Sequence, residues 1–545
     1  MLVSDDRTVL FGIEFRYDVG YKVICDGQIL GNFFSDDGRW TFSPSPRAAG
    51  MMVTRVKRGI ITVKKRAASM AVRGRGVYGS DILEADPNII RGDTVFIRTD
   101  DREPVSIGEA TTDGDAMVGN DGKLCVRGTK AIRSGMNVPE KGYTWKETVR
   151  LNKVPLDRAV RKSTDFIRKV IRKHKGVPYT VSLSGGKDSM ATLLLVIKAG
   201  FKPTIVYADT HMDCGSSDLV YGLAKRYGLK MLTYGIPEDV FYRNMERLGP
   251  PASDYRWCCR VHQLAPFNIL SDMAGKRSLT FIGQRRYEST QRMRAGSEWI
   301  NPSSPNQLCA SAIQDWNALH VWMFLTMENA PYNRLYEEGY DRIGCYYCPM
   351  SPRTMLRMKE WDDPVARAWK DGIDEYGRRT GMPQIWYDKM LWKSRRFTEN
   401  VPGVDPEIRK DVERRQKIVS YKTRVRDGVA TSGRRFDPSD VFPLLPIMGM
   451  KGRMEGGCLV TDDVKVSPEG NVTLIDGGSD LKSKADDIFD LSIMATMCLE
   501  CTACIHTCKR SALKLKDQRL TLDASRCNGC RKCVPICPVI GLLRS

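Results

Sequence analysis

The chain has 545 residues, too many for one hydrophobic core, so two to four domains are expected. Hydrophobic residues make up 42%, ordinary for globular protein, and no apolar run reaches the roughly 18 residues of a membrane-spanning helix, which excludes a membrane partner at this level of reading. Lys and Arg number 85 against 65 Asp and Glu, a net charge of +20. The opening MLVSDDRTVL is acidic and polar, unlike a secretory leader, so a cytoplasmic location is expected. Seventeen cysteines in a reducing compartment then point to metal rather than disulfides, because they are clustered.

Residues 1–75 form a β-rich segment with a basic stretch, VTRVKRGIITVKKR. Between Arg47 and Ser80 there are nine basic residues and no acidic one. Such a run reads either as a surface for nucleic acid or another polyanion, or as a solvated basic face. Residues 76–135 read as short strands between turns: a turn and strand over Asp86–Ile97, then Pro104–Ala110 and Gly122–Gly128. That pattern resembles a PUA domain, a small β-barrel, which implies RNA as a possible partner. From Leu156 to His174, positions 156, 160, 163, 167, 170 and 171 share one helical face, and position 163 on it is a Ser.

An α/β core follows. Strands are expected at Tyr179–Ser184, Pro203–Asp209, Lys230–Gly235 and Ser278–Gly283, and helices at Asp188–Lys198, Ser216–Tyr227 and Pro237–Leu248. Strands alternating with helices predict a doubly wound parallel sheet. The first strand runs into Ser184-Gly185-Gly186-Lys187-Asp188-Ser189 and then a helix. Two glycines let backbone N–H groups approach an anion, the helix N-terminus favours negative charge, and Lys187 adds a cation. The spacing is not Walker A. It resembles the PP-loop of the adenine-nucleotide α-hydrolase superfamily. Ligands of such sheets bind beyond the strand carboxyl ends, so Asp209 and Thr210 are expected to face the same crevice.

Further on come Arg256-Trp-Cys258-Cys259-Arg, then Ile282-Gly-Gln-Arg285-Arg-Tyr-Glu-Ser-Thr-Gln-Arg292, Asn333-Arg-Leu-Tyr336 and Arg342-Ile-Gly-Cys345-Tyr-Tyr-Cys348-Pro. This order, over about residues 150–350, resembles the phosphoadenosine phosphosulfate (PAPS) reductase family. The paired cysteines with a CxxC resemble its adenylyl-sulfate branch. The likeness implies that Cys258, Cys259, Cys345 and Cys348 hold a [4Fe-4S] cluster, with zinc as the alternative for four thiolates. It also implies that Arg285 and Arg292 bind phosphate or sulfate.

Residues 351–450 read as a helical, basic extension, including a helix at Pro406–Val419, and 451–490 as a linker. Residues 491–545 carry Cys498, Cys501, Cys504 and Cys508, then Cys527, Cys530, Cys533 and Cys537 followed by Pro538. This is the spacing of an α+β bacterial-type ferredoxin with two [4Fe-4S] clusters, in which the fourth cysteine of each run serves the other cluster. One set is then Cys498, Cys501, Cys504 and Cys537; the other is Cys508, Cys527, Cys530 and Cys533.

The implied reaction is reduction of an activated-sulfate nucleotide to sulfite, with electrons from a donor passing through the ferredoxin. The family's nucleophile lies in a C-terminal Glu-Cys-Gly segment that this chain lacks; Cys214 and Cys458 are the candidates left. The competing reading is an ATP-dependent PP-loop sulfurtransferase acting on RNA (tRNA), with the PUA-like segment holding the RNA. A bound adenine nucleotide, whether adenylyl sulfate, PAPS or ATP, is common to both.

Overall fold

The computed structural model describes residues 8–544, apart from 16–17, 26, 37–38, 54, 134–142, 275–276, 295, 302–303, 352, 398–400, 402, 418–420 and 476–479. The opening residues 1–7, read above as unlike a leader, lie outside the described residues. Strands β1 (Thr8–Phe15), β2 (Asp18–Cys25), β3 (Gln28–Asp36) and β4 (Arg39–Pro44) form an antiparallel meander. A six-stranded sheet follows, built from β5 (Ile60–Val63), β6 (Val77–Tyr78), β7 (Ile82–Ala85), β8 (Thr94–Thr99), β9 (Pro104–Ala110) and β10 (Leu124–Ala131) in the order β6-β10-β9-β8-β5-β7. The expected boundary at residue 75 is therefore corrected. Strand β5 and the helix Lys65–Val72 belong to this sheet, because Ile61, Val63, Ala67, Ala68 and Ala71 share its core with Val95, Ile97 and Val126. The basic side chains of that helix stay outside: Lys65 and Arg66 are exposed.

The α/β core has β11 (Tyr179–Ser182), β12 (Thr204–Asp209), β13 (Met231–Gly235), β14 (Ser278–Phe281), β15 (Glu298–Asn301) and β16 (Ser304–Ala310). Their order is β13-β12-β11-β14-β16-β15, parallel except for β15, which forms an antiparallel edge on β16. The chain steps one way from β11 to β12 and the other way to β14, so the end of β11 is the topological switch point. Helices cover both faces, as expected. Helices Lys153–Lys173, Lys187–Lys198, Ser216–Tyr227 and Ala318–Met327 share a core on one side, and Ala265–Ala274 packs on the other. Ser163, the polar residue on the apolar face of Lys153–Lys173, is buried and spends its hydroxyl on the Ala312 carbonyl at 2.7 Å. A buried hydroxyl left unpaired there would cost about 1–3 kcal/mol.

The expected linker at 451–490 is a correction. Strands β17 (Arg424–Arg426), β18 (Val429–Thr431), β19 (Gly452–Glu455), β20 (Cys458–Thr461), β21 (Val464–Val466) and β22 (Val472–Leu474) make an antiparallel sheet ordered β17-β18-β22-β21-β20-β19. The helix Leu481–Thr496 lies against it. The helix expected at Pro406–Val419 ends at Arg415. Residues 351–450 contribute to a shared core: Trp369, Trp386 and Trp392 are buried in one cluster that also holds Phe241 and Trp257 of the α/β unit and Phe489 and Leu499 of the C-terminal part. The tail contributes a hairpin, β23 (Leu513–Lys516) and β24 (Arg519–Leu522), and two short helices, Ala503–Thr507 and Pro538–Leu543.

The tail is fastened to the helix Glu238–Leu248. Arg243 pairs with Glu500 at 2.6 Å, Asn244 donates to the Leu499 carbonyl at 3.1 Å, and Arg247 donates to the Cys498 carbonyl at 2.8 Å. The Glu500 side chain is only 8% exposed, so losing its partner strands a carboxylate. Arg243→Ala is expected to weaken this docking by about 1–3 kcal/mol, read as faster amide hydrogen exchange across 498–508 with the α/β sheet unchanged. Unaltered exchange in that segment would contradict the assignment.

Candidate nucleotide and cysteine site

The loop after β11 is shaped by its glycines. Gly185 has φ +73, and a Cβ there would lie 2.7 Å from the Ser216 Cβ, so the loop rests directly on the start of the helix Ser216–Tyr227. Gly283, just past β14, is pressed against the first turn of the helix Lys187–Lys198; a Cβ would come within 2.5 Å of the Asp188 backbone. Ser189 ties the loop internally, its hydroxyl accepting from the Ser184 amide at 3.2 Å and donating to the Gly186 carbonyl at 2.8 Å. The Ser184 and Ser189 hydroxyl oxygens are 3.3 Å apart.

Lys187 is buried, with its ammonium 3.1 Å from Asp188 and 3.2 Å from the Asp341 carbonyl. Tyr336 completes the loop: its hydroxyl accepts the Lys187 amide at 3.0 Å, and its ring lies 5.7 Å from the Lys187 ammonium. Burial pushes the Tyr336 phenol up to about 12. Arg285 reaches the loop through Asp188, at 2.7 Å, and is nearly buried. Arg292 stands one step further out and pairs with Glu288, which also lies 3.6 Å from Arg285. Both arginines thus already face carboxylates. Strand β12 ends at Asp209, and Asp209 and Thr210 both turn the chain: Asp209 accepts the His211 amide at 3.0 Å, and Thr210 the Met212 amide at 3.3 Å.

The loop that begins there reaches the cysteines. Asp213 bridges Cys345, and the Tyr346 amide donates to the Met212 carbonyl at 2.9 Å. Cys258 and Cys259 open a helical stretch whose next turn, Arg260–Leu264, is π-helical, a form that recurs at functional sites. The fold brings the two pairs together, for Cys258 feels the charges of Cys259, Cys345 and Cys348. A thiol–thiol hydrogen bond raises Cys258 and lowers Cys259 to about 7, while burial drives Cys345 and Cys348 upward. Cys258, Cys345 and Cys348 are thus all pushed up, by burial and by neighbouring thiols, and a bound metal cation would reverse that preference. The donor set therefore suits a thiophilic centre. Among the described residues no three metal-ligating side chains converge closely enough to chelate a single ion.

In the tail, one cavity is lined by Cys498, Cys501, Cys504 and Cys537 within an apolar wall of Met494, Leu499, Ile505 and Val539. A second is lined by Cys508, Cys527, Cys530 and Cys533. Each cavity thus gathers one of the two crossed sets. Burial raises the thiols of the first set, Cys537 to about 12.

The two leftover thiols part company. Cys214 lies between the phosphate loop and the CxxC: Ser216 touches Gly185, Asp213 bridges Cys345, and Asn333 donates to the Cys214 carbonyl at 2.7 Å. Burial pushes its thiol up to about 12, with Arg357 acting in the opposite sense. Cys458 sits opposite Glu455 in the β19–β20 hairpin of the C-terminal sheet. Sequence reasoning missed Arg357. It is 1% exposed, donates to the Cys345 and Tyr346 carbonyls at 3.2 and 3.0 Å, and stacks on Tyr340 and Trp361. It also missed His262, buried in the π-helical turn and lowered to about 4 by burial.

Gly283→Ala tests the loop's shape. A Cβ 2.5 Å from the Asp188 backbone meets no flexible side chain that could swing aside, so the first turn of the helix must shift, and adenine-nucleotide affinity is expected to fall about ten-fold or more. Calorimetric titration with AMP checks this; wild-type affinity in the variant would show that the helix start does not shape the site.

Residues 178–351 match the phosphoadenosine phosphosulfate reductase domain, and residues 59–131 the PUA domain. The chain is 30% identical over 387 residues to the uncharacterized protein MJ0066 of Methanocaldococcus jannaschii, covering 68% of this chain and 80% of that one. It is 23% identical to the adenosine 5'-phosphosulfate reductase of Halalkalibacterium halodurans, over 41% of this chain and 93% of the relative. Among solved structures, the phosphoadenylyl-sulfate reductase of Candida auris in its phosphate complex aligns at 17% identity and a TM-score of 0.28, over 38% of this chain and 97% of that one. No described helix is long and apolar enough to cross a membrane. The chain therefore belongs to the family of the M. jannaschii protein, and it carries a phosphoadenosine phosphosulfate reductase domain and a PUA domain.

Proposed function

We propose that this chain is an iron–sulfur oxidoreductase that reduces an activated-sulfate nucleotide, adenylyl sulfate or PAPS, to sulfite. The observation that carries the reading is the short segment Asp209–Ser216, which touches the phosphate loop at one end and the CxxC loop along its middle. In this reading the loop amides, Ser184, Ser189 and Lys187 bind the phosphosulfate and offset charge on the leaving phosphate. Tyr336 holds the loop in shape, and Arg285 orients it through Asp188. Cys214 is the thiol assigned to attack sulfur. Its S–S bond forms as the S–O bond to the nucleotide breaks, and AMP or its 3′-phosphorylated form leaves. Two electrons and a proton then cleave that S–S bond, releasing sulfite and restoring the Cys214 thiol, whose ionisation for the next attack burial opposes and Arg357 assists. Cys258, Cys259, Cys345 and Cys348 are the residues that would hold a [4Fe-4S] centre, with zinc the alternative; the tail sets would hold two more. Such centres supply electrons one at a time.

A second reading, thiolation of RNA at the expense of ATP, is favoured by the PUA domain and by the exposed basic residues of its helix, Lys65 and Arg66. The same loop would then bind ATP and adenylate the RNA.

Anaerobic turnover with adenylyl sulfate, PAPS, and ATP plus tRNA, run side by side on iron-replete protein, separates the two. Sulfite from a sulfonucleotide is the expected result; thiolated RNA with no sulfite would overturn the reductase reading. Lys187→Ala is expected to lower turnover about 10²-fold. Cys214→Ser is expected to abolish turnover while leaving the iron content unchanged, and Cys458→Ser to leave activity intact. Full activity in Cys214→Ser would remove it as the nucleophile.

A further inference from the structure

The two tail cavities differ in a way that the spacing of their cysteines does not explain. The set Cys498, Cys501, Cys504 and Cys537 faces inward: Cys501 and Cys504 are buried. The helix Ala503–Thr507 packs on Ala265–Ala274, and the helix Pro538–Leu543 packs on Arg260–Leu264, the turn that follows Cys258 and Cys259. The set Cys508, Cys527, Cys530 and Cys533 faces outward, and Cys530 is exposed. The mouth of this outer cavity is cationic, with Lys509, Arg510, Arg531 and Lys532 in its lining. Arg531 is held in place, 3.1 Å from Asp487 and donating to the Met448 carbonyl at 2.9 Å. Lys509, Arg510 and Lys532 are exposed and enter no ion pair among the described residues. The charge is general to the region: from Ile505 to Arg544 there are nine Lys and Arg against two Asp.

We infer that this cationic rim is the docking face for an acidic one-electron carrier protein, which delivers electrons to the outer cysteine set. The inference rests on the proposed reading that the tail holds iron–sulfur centres, and it adds where and from what kind of partner electrons arrive. Redox partners bind through small, transient faces, and complementary charge speeds their encounter. Here the cations ring the cavity with an exposed cysteine, while the inner set is turned towards the nucleotide domain. The rim's charge also suits a nucleic acid, the other common polyanion. Single-stranded nucleic acid is usually held by a basic track with aromatic stacking platforms, and Ile505–Arg544 contains no Phe, Tyr or Trp. The observations therefore favour the carrier. The transfer moves one electron from carrier to outer centre; no bond forms or breaks, and no proton is required.

The test uses the full-length, anaerobically prepared protein with its iron in place. Reduced flavodoxin serves as the acidic carrier, and photoreduced deazariboflavin as a small uncharged reductant. In stopped flow, the triple variant Lys509→Glu, Arg510→Glu, Lys532→Glu is expected to be reduced by flavodoxin about ten-fold more slowly or worse, with the salt dependence of the rate reversed or lost. Its reduction by deazariboflavin is expected to stay within about two-fold of wild type, as is its iron content. The Gln triple variant, which only removes charge, guards against misfolding and is expected to give an intermediate rate. Equal flavodoxin rates in wild type and both variants would overturn the inference. So would variants that lose RNA binding while keeping the flavodoxin rate, since the rim would then serve a nucleic acid. Wild-type protein devoid of iron and of any electron paramagnetic signal after reduction would overturn the iron–sulfur reading itself, a failure distinct from a loaded protein indifferent to rim charge.

Discussion

The segment Asp209–Ser216 is clamped from two sides. Ser216 stands where a side chain on Gly185 would have to go, and Asp213 is bridged to Cys345. The β12 strand delivers it to the switch point of the sheet, and Gly215, at φ +68, turns it into the next helix. Asn333 and Tyr336 close the same structure from above, one holding the Cys214 carbonyl and the other the Lys187 amide. A movement in the phosphate loop therefore has a short mechanical route to the CxxC. Conversely, a change at the cysteines bears on the loop proposed to hold the nucleotide.

The remainder of the chain serves this arrangement by holding the tail against it. Residues 351–450 supply three buried tryptophans to a core shared by the α/β unit and the C-terminal sheet. Arg395 is buried there and donates to the Leu248 and Pro250 carbonyls at 3.0 and 2.7 Å, fixing the approach to Cys258. The tail's inner cysteine set is thus seated on the turn following the CC pair, which suits the proposed delivery of electrons in sequence from outer set to inner set to nucleotide site.

Much of the α/β core was legible because its signals are local. Strand–loop–helix periodicity and the Gly185-Gly186 pair are read within a dozen residues, and the strands and helices from Tyr179 to Leu248 fall within a few residues of their expected bounds. The crossed cysteine sets follow from spacing alone, and each set lines its own cavity. What escaped depends on partners distant in sequence. Tyr336 was read only as part of a motif, because its hydroxyl bond spans from residue 336 to residue 187. Arg357 sat unremarked in a basic stretch, its burial created by Tyr340, Trp361 and two carbonyls of the CxxC loop. The helix Lys65–Val72 hid its apolar face of three alanines behind its charges, which shifted the barrel boundary. The strands of 451–474 are only three or four residues long, too short for alternation to declare them.

Coupling between the nucleotide loop and the proposed centre at Cys258, Cys259, Cys345 and Cys348 is what everything else depends on. Electron paramagnetic resonance of the anaerobically reduced chain, recorded with and without saturating AMP, measures it directly. The account predicts that AMP shifts one iron–sulfur signal, and that the shift vanishes in Tyr336→Phe, which still carries its iron. Identical spectra with and without bound AMP would contradict it.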